Sequence, residues 1–246
     1  MNALLTAPTE AAGLLAQIEI QDRSGDAATC VARDGFYCPG WVADNIDTFF
    51  DPTFEHVKLV VISVGIGFLI AFGMALISHS RGWLVPPLTA FTGVLYTIPS
   101  LAAFFLLIPI TGRGADTAII ALTAYTLQII YRNIITGLNN VPDDVVAAGR
   151  GMGLTNRQLL LRVELPLALP EIIAGVRVAT VTTVGLATLA VFAGGGGLGG
   201  EILSDLTFRT RVATTGLIAI GMAIIFDLIL LAIQRFASPW KRVQTA

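Results

Sequence analysis

Five stretches of this chain run nearly free of charge, each long enough as a helix to cross the roughly 30 Å hydrocarbon core of a bilayer. The first is Leu59–Ser78. The second, Trp83–Gly112, carries Pro86–Pro87 near its start and Pro99 inside. The third lies between Asp116 and Arg132 and is extended by Ile134–Ile135. The fourth is Val178–Gly200, whose glycines are expected to end the helix near Ala193. The fifth, Val212–Gln234, is interrupted only by Asp227. The pattern predicts an all-α polytopic membrane protein of about five transmembrane helices.

Composition agrees. Of 246 residues, 54% are hydrophobic and only 13% charged, and mean hydropathy is +0.77. Soluble domains carry about 25% charge, so half that figure leaves too little polar surface to coat a globule in water. Net charge is -2 and the cations are scattered, which gives no basic patch for nucleic acid. The dipeptide Gly-Lys is absent, so the chain holds no phosphate-cradling Walker loop. Cys30 and Cys38 lack a metal-site spacing, and His56 and His79 stand far apart, so no metal site is expected. A membrane-embedded enzyme would need His, Asp or Cys clustered within spans, and none are. No Lys or Arg precedes Leu14–Leu15, so the start does not read as a cleaved signal.

An odd number of spans puts the termini on opposite sides. If the segment between spans three and four is cytoplasmic, nine cations lie inside: Arg81, Arg132, Arg150, Arg157, Arg162, Arg177, Arg235, Lys241 and Arg242. Four lie outside near the membrane, namely Lys58, Arg113, Arg209 and Arg211. The positive-inside rule then predicts an external N-terminus and a cytoplasmic C-terminus. The division expected is an extracytoplasmic segment 1–53, a permease domain 54–236 and a cytoplasmic tail 237–246. The polar first segment is expected to hold a short surface helix near Thr9–Ile18. Its two cysteines are read either as a disulfide, permitted outside the cell, or as two free thiols.

Structure signals are densest from Asn139 to Arg177. Pro142 suits a first helical turn, and Asp143–Asp144 complement the helix dipole there. A short helix through Val145–Ala148 should yield at Gly149, Gly151 and Gly153. Thr155-Asn156-Arg157-Gln158 fits a capping box that opens a second short helix, and Pro166 and Pro170 should bend the chain back to the membrane. Two short helices with a glycine corner make a compact knob. Small residues at Ala147, Ala148, Gly149 and Gly153 would let another protein approach closely. The plainer alternative is a turn that merely joins two spans.

This segment resembles the permease signature of binding-protein-dependent ABC importers: Glu-Ala-Ala, three residues, Gly, nine residues, Ile, one residue, Leu-Pro. Here Ala147-Ala148-Gly149, Arg150-Gly151-Met152, Gly153, Val163 and Leu165-Pro166 fall at those spacings. Ala147 replaces the motif Glu, which removes any ion pair that Glu would make with an ATPase. The runs 96–102 and 163–170, and Gly195-Gly196-Gly197-Leu198-Gly199, look like osmoprotectant uptake permeases for glycine betaine, choline or carnitine. Methionine importer permeases share the glycine-rich element and the signature.

The resemblance implies two permease subunits, the same or similar, driven by a cytoplasmic ABC ATPase dimer and fed by an extracytoplasmic solute-binding protein. Residues 147–153 with Leu165 and Pro166 would be the ATPase-coupling set. No cofactor is expected on this chain; ATP and Mg would sit on the partner. Localisation would be the plasma membrane of a prokaryote.

Candidate pathway residues are Tyr96 and Ser100, four apart and so on one helix face, with Pro99 freeing a carbonyl beside them. Asp227 is the only acid well inside an apolar run, and a cytoplasmic-side arginine is its expected partner. The glycine cluster is read as a turn into a short helix, Glu201–Phe208. A secondary transporter or channel is the rival class, but no internal repeat is visible and only one buried acid.

Overall fold

The computed structural model describes Cys30 and residues 36–238. The expected helix near Thr9–Ile18 and the tail beyond Ser238 lie outside the described residues. Two compact units result, Met1–Ile46 and Asp47–Ala246. In the first, Cys30 and Cys38 form a disulfide with Cα atoms 5.8 Å apart, which decides between the two readings of those cysteines. A short helix α1, Pro39–Asp44, follows it.

The second unit is helical throughout its described residues. In order come α2 (Phe50–Ser80), α3 (Val85–Thr97), α4 (Ser100–Thr111), α5 (Ala115–Asn139), α6 (Asp143–Gly151), α7 (Asn156–Ala193), α8 (Leu198–Ser204) and α9 (Arg209–Ala237). Four of them, α2, α5, α7 and α9, are long and apolar enough to cross a bilayer, and the pair α3–α4, bent by 95°, passes the same test only when taken together, as a broken span or a re-entrant loop.

α5 is the axis. Its Leu122, Ile130, Tyr131 and Ile134 are fully buried against α2 and α7. Lipid offers no hydrophobic drive for helix association, so close packing must supply it, and glycines at the crossings permit it. A Cβ on Gly67 of α2 would stand 1.8 Å from Thr126 Oγ1 of α5, and one on Gly175 of α7 would stand 2.4 Å from Asn133 Cβ. By contrast α9 buries almost none of its apolar length within the protomer.

α7 differs most from expectation. The second short helix and the fourth span are one continuous helix of 38 residues, roughly 57 Å at 1.5 Å per residue. Pro166 sits in the first turn after a π-helical stretch, Leu160–Glu164, and Pro170 lies inside the helix. The π turn accommodates missing donors that would otherwise break the ladder. The prolines therefore do not turn the chain. Arg177, counted among the cytoplasmic cations, lies near the middle of this 38-residue helix.

The other end of α7 closes on the glycine cluster. Gly196 and Gly197 adopt φ of 73° and 78°, a region other residues enter only with strain. Glu55 Oε2 accepts from Gly197 N at 3.1 Å, and Leu198 N donates to His56 Nδ1 at 3.3 Å. That leaves His56 Nε2 to donate to Val184 O at 3.0 Å. The helix after the turn is Leu198–Ser204 rather than Glu201–Phe208, because the capping geometry begins at Gly197. Asp205 then accepts from Thr207 Oγ1 (2.7 Å), Thr207 N and Phe208 N ahead of α9. The Thr207 hydroxyl, then the two amides, hold its carboxyl below the usual carboxylate range.

Gly175→Leu should lower the thermal transition of the detergent-solubilised protein markedly, since overpacking costs about 1–3 kcal/mol or more. Gly185→Ala, where an added Cβ meets nothing within 4 Å, should leave the transition unchanged or slightly raised. Equal effects from the two would show that the α5–α7 crossing does not depend on this contact.

Candidate functional site

Three places bring together the chemistry-bearing residues of the membrane unit. The first is an elbow formed by α6 and the start of α7. Pro142 is the residue that precedes α6 rather than its first helical residue, and Asp143 and Asp144 occupy the first turn as expected. Met152–Thr155 make the corner, with Gly153 at φ 80°. Thr155 caps α7: Gln158 N donates to its Oγ1 at 3.3 Å while Thr155 N donates to Gln158 Oε1 at 2.9 Å. Such a cap stabilises a helix start by about 1 kcal/mol.

Ala147, Ala148, Arg150, Gly151, Met152 and Gly153 are all exposed on this elbow, and Met152 is 75% exposed. Gly149 does a different job from the one expected of it. It is buried, and a Cβ there would meet Leu159 Cδ1 at 2.6 Å, so it closes α6 onto α7 rather than offering a surface. Leu165 and Pro166 are half-buried at the root of the elbow.

That root is tied to α2. His79 Nε2 meets Glu164 Oε2 at 2.5 Å, with Glu164 almost wholly buried. Pattern reading missed this pair. Its members are 85 residues apart, and neither lies in an apolar run that would make it conspicuous.

The second place is the break between α3 and α4. The two helices meet at 95°, so Tyr96, at the end of α3, and Ser100, at the start of α4, do not share a helix face as predicted. A proline at 99 with an extended Ile98 ends the helix instead of kinking it. The Ile98 carbonyl exposed there accepts a hydrogen bond from the Tyr125 hydroxyl of α5. Tyr125 also packs edge-on against Tyr96, with ring centroids 5.9 Å apart. Tyr96 and Pro99 are exposed and Ser100 half-buried.

The third is a groove between α7 and α9. Its volume is about 620 Å³, and its walls are apolar (Val178, Val181, Ile220, Ile224) around Arg177 and Asp227. Arg177 Nε and Nη2 donate to the two Asp227 oxygens, each at 2.9 Å, and Nη1 donates to Gln234 Oε1 at 3.1 Å. Gln234 Nε2 in turn donates to Pro170 O at 2.8 Å. Asp227 thus has an arginine partner, as expected, but it belongs to a neighbouring span and sits at the same depth. Bidentate geometry favours this pairing over any looser contact.

Residues 63–243 match the family model described as binding-protein-dependent transport system inner membrane component. The chain belongs to that family. It is a permease, the membrane subunit of an ABC importer rather than a catalytic one. Over 191 residues the permease is 36% identical to the glycine betaine/carnitine/choline transport system permease protein OpuCB of Bacillus subtilis, covering 76% of this chain and 87% of that one. It is 34% identical to the osmoprotectant import permease protein OsmW of Salmonella typhimurium, over 81% of this chain and 96% of that one. Its fold matches a chain of the MetNI methionine ABC transporter in an inward-facing conformation, with TM-score 0.70 and 22% identity over 77% of this chain and 95% of that one.

For the permease's intramembrane ion pair, Asp227→Leu and Arg177→Met should each lower thermal stability. The double variant should be less destabilised than the sum, because either single change strands one charge. A coupling of about 0.5–3 kcal/mol is expected. Strict additivity in a thermal-shift cycle would mean the pair contributes nothing as a pair.

Proposed function

We propose that this permease imports a quaternary-amine osmoprotectant, such as glycine betaine, carnitine or choline, using ATP hydrolysed by a separate subunit. The observation that carries the substrate class is the naming of its relatives: proteins 34–39% identical are permeases of choline, carnitine and osmoprotectant systems. ATP and Mg sit on a cytoplasmic ATPase dimer in this reading. A second permease, the same or similar, completes the path, and an extracytoplasmic binding protein delivers the solute. The N-terminus is outside and the C-terminus in the cytoplasm of a prokaryotic cell, on the strength of the cation distribution.

The elbow is the coupling element. Ala147, Ala148, Arg150, Gly151, Met152 and Gly153 face the ATPase, with Gly149, Leu165 and Pro166 supporting them from within. Because α7 runs unbroken from elbow to glycine turn, a displacement of the elbow moves a whole span as a rigid body. The solute path passes the helix break at Tyr96, Pro99 and Ser100, since a broken helix in a membrane lines a cavity rather than lipid. Asp227 and Arg177 face the same interior, where intramembrane charges belong.

In proteoliposomes holding both permease and ATPase subunits, with binding protein and betaine outside and ATP trapped inside, betaine uptake should require ATP. Uptake persisting without the ATPase would reassign the chain to the secondary transporters. Gly153→Asp should insert normally yet lose solute-stimulated ATP hydrolysis, because bulk and charge spoil the docking face. Full stimulation in that variant would remove the elbow from the coupling role. Titration of the receptor with betaine, carnitine, choline and methionine identifies the solute, and preference for methionine would overturn the substrate class.

A further inference from the structure

At the base of the elbow lies a pocket of about 510 Å³ lined by His79, Ser80, Arg150, Asn156, Arg157 and Glu164, with Leu159 and Leu160 beneath. We propose that this pocket receives an Asp or Glu side chain of the ATPase subunit, held between Arg150 and Arg157. The proposal rests on the coupling role given to the elbow and adds the chemistry of the contact.

The charge count in the pocket carries it. Glu164 is its only acid, and that carboxylate is buried against His79 Nε2 at 2.5 Å. Among the described residues neither Arg150 nor Arg157 has an ion pair or hydrogen bond from its side chain to the chain's own groups. Asp143 and Asp144 stand at the opposite end of α6, seven and six residues from Arg150. Two guanidinium groups therefore line one concavity whose single carboxylate is already engaged by His79.

Local structure makes this arrangement unfavourable by itself. Arg157 is in the first turn of α7, where the helix dipole opposes a cation, and the Thr155–Gln158 capping box fixes it there. An incoming carboxylate relieves both the mutual repulsion and the dipole, and the guanidinium fork suits it bidentately. The surroundings are those of a protein interface. Met152 and Val145 are exposed apolar residues of the same elbow, and Arg and Met are enriched at protein–protein contacts, where charged groups rim an apolar centre. Ala147 stands where the permease signature has Glu, so this elbow presents cations to its partner in place of a carboxylate.

The test uses the complete purified transporter carrying Arg157→Lys or Arg150→Lys, each of which keeps the charge and adds an amine. A carbodiimide then joins that amine to any carboxylate in salt-bridge contact. The expected result is a permease–ATPase adduct absent from the unsubstituted complex, whose own permease lysines are Lys58 and Lys241, with the linkage mapped by mass spectrometry to an ATPase Asp or Glu. Coupling only to Glu164 of the same chain overturns the proposal. So does the absence of an adduct while a benzophenone on Met152→Cys still labels the ATPase, since docking then holds without the ion pair. Absence of both adducts sinks the coupling role itself. As an independent readout, Arg150→Gln with Arg157→Gln should weaken ATPase association about tenfold at low salt, with the deficit shrinking as salt rises. If that variant instead alters only the dependence on phosphatidylglycerol in nanodiscs, the pocket holds a lipid headgroup and the proposal fails.

Discussion

Within a bilayer, a polar atom has no water to turn to, and that constraint organises this protein. Most polar departures from plain apolar helix in the spans are met by a partner, from another span or from the same helix. The carbonyl at the α3–α4 break takes the Tyr125 hydroxyl. Arg177, Asp227, Gln234 and the Pro170 carbonyl form one connected chain of donors and acceptors across α7 and α9. Threonines within the spans turn their hydroxyls back on their own helices, as Thr126, Thr180, Thr183 and Thr214 do. Ser63 Oγ stands against the rule, buried without a hydrogen-bond partner. An unsatisfied polar atom in hydrocarbon costs several kcal/mol, so these pairings decide which helix faces can meet.

The same economy of contacts makes α7 a lever. At one end Glu164 binds it to α2 through His79, and at the other Glu55 and His56 of α2 hold the turn that follows it. Between them, the Gly175–Asn133 crossing keys α7 to α5. A helix fixed at both ends and in the middle transmits motion instead of absorbing it. It departs from α-helix at two places, a π turn at Leu160–Glu164 beside the elbow and a 3-10 stretch at Thr188–Ala193 before the glycine turn. The π turn lies next to the His79–Glu164 contact.

Much of this was legible from the amino-acid pattern, for identifiable reasons. Five apolar runs fixed the crossings because hydrocarbon thickness sets a length. Thr155 and Gln158 announced a helix start through spacing alone, and the signature around Gly153 located the elbow. The errors share a cause: local rules were applied where a distant residue decides. Pro166 and Pro170 read as helix breakers, yet a π turn and tertiary packing keep α7 whole. Pro99 read as a kink that would leave Tyr96 and Ser100 on one face, yet Tyr125 stabilises a complete 95° break. Arg177 read only as one more cytoplasmic-side cation because its partner, Asp227, lies fifty residues away. The His79–Glu164 contact had no local signal at all.

The groove between α7 and α9 constrains the assembly further. The side chains of Arg177 and Asp227 remain 24% and 36% exposed in the protomer, at a depth where both flanking helices are apolar. Lipid is a poor neighbour for even a neutralised pair with that much surface, because its remaining lone pairs and N–H groups would go unsatisfied. The face must therefore meet protein or water. α9 supplies the rest of that face with Ile220, Ile224 and Leu228, all more than half exposed, an apolar surface that suits lipid and a neighbouring helix alike. A second permease subunit, the same or similar, enclosing a wet path against this face would give the ion pair the polar neighbours that lipid around a lone protomer does not.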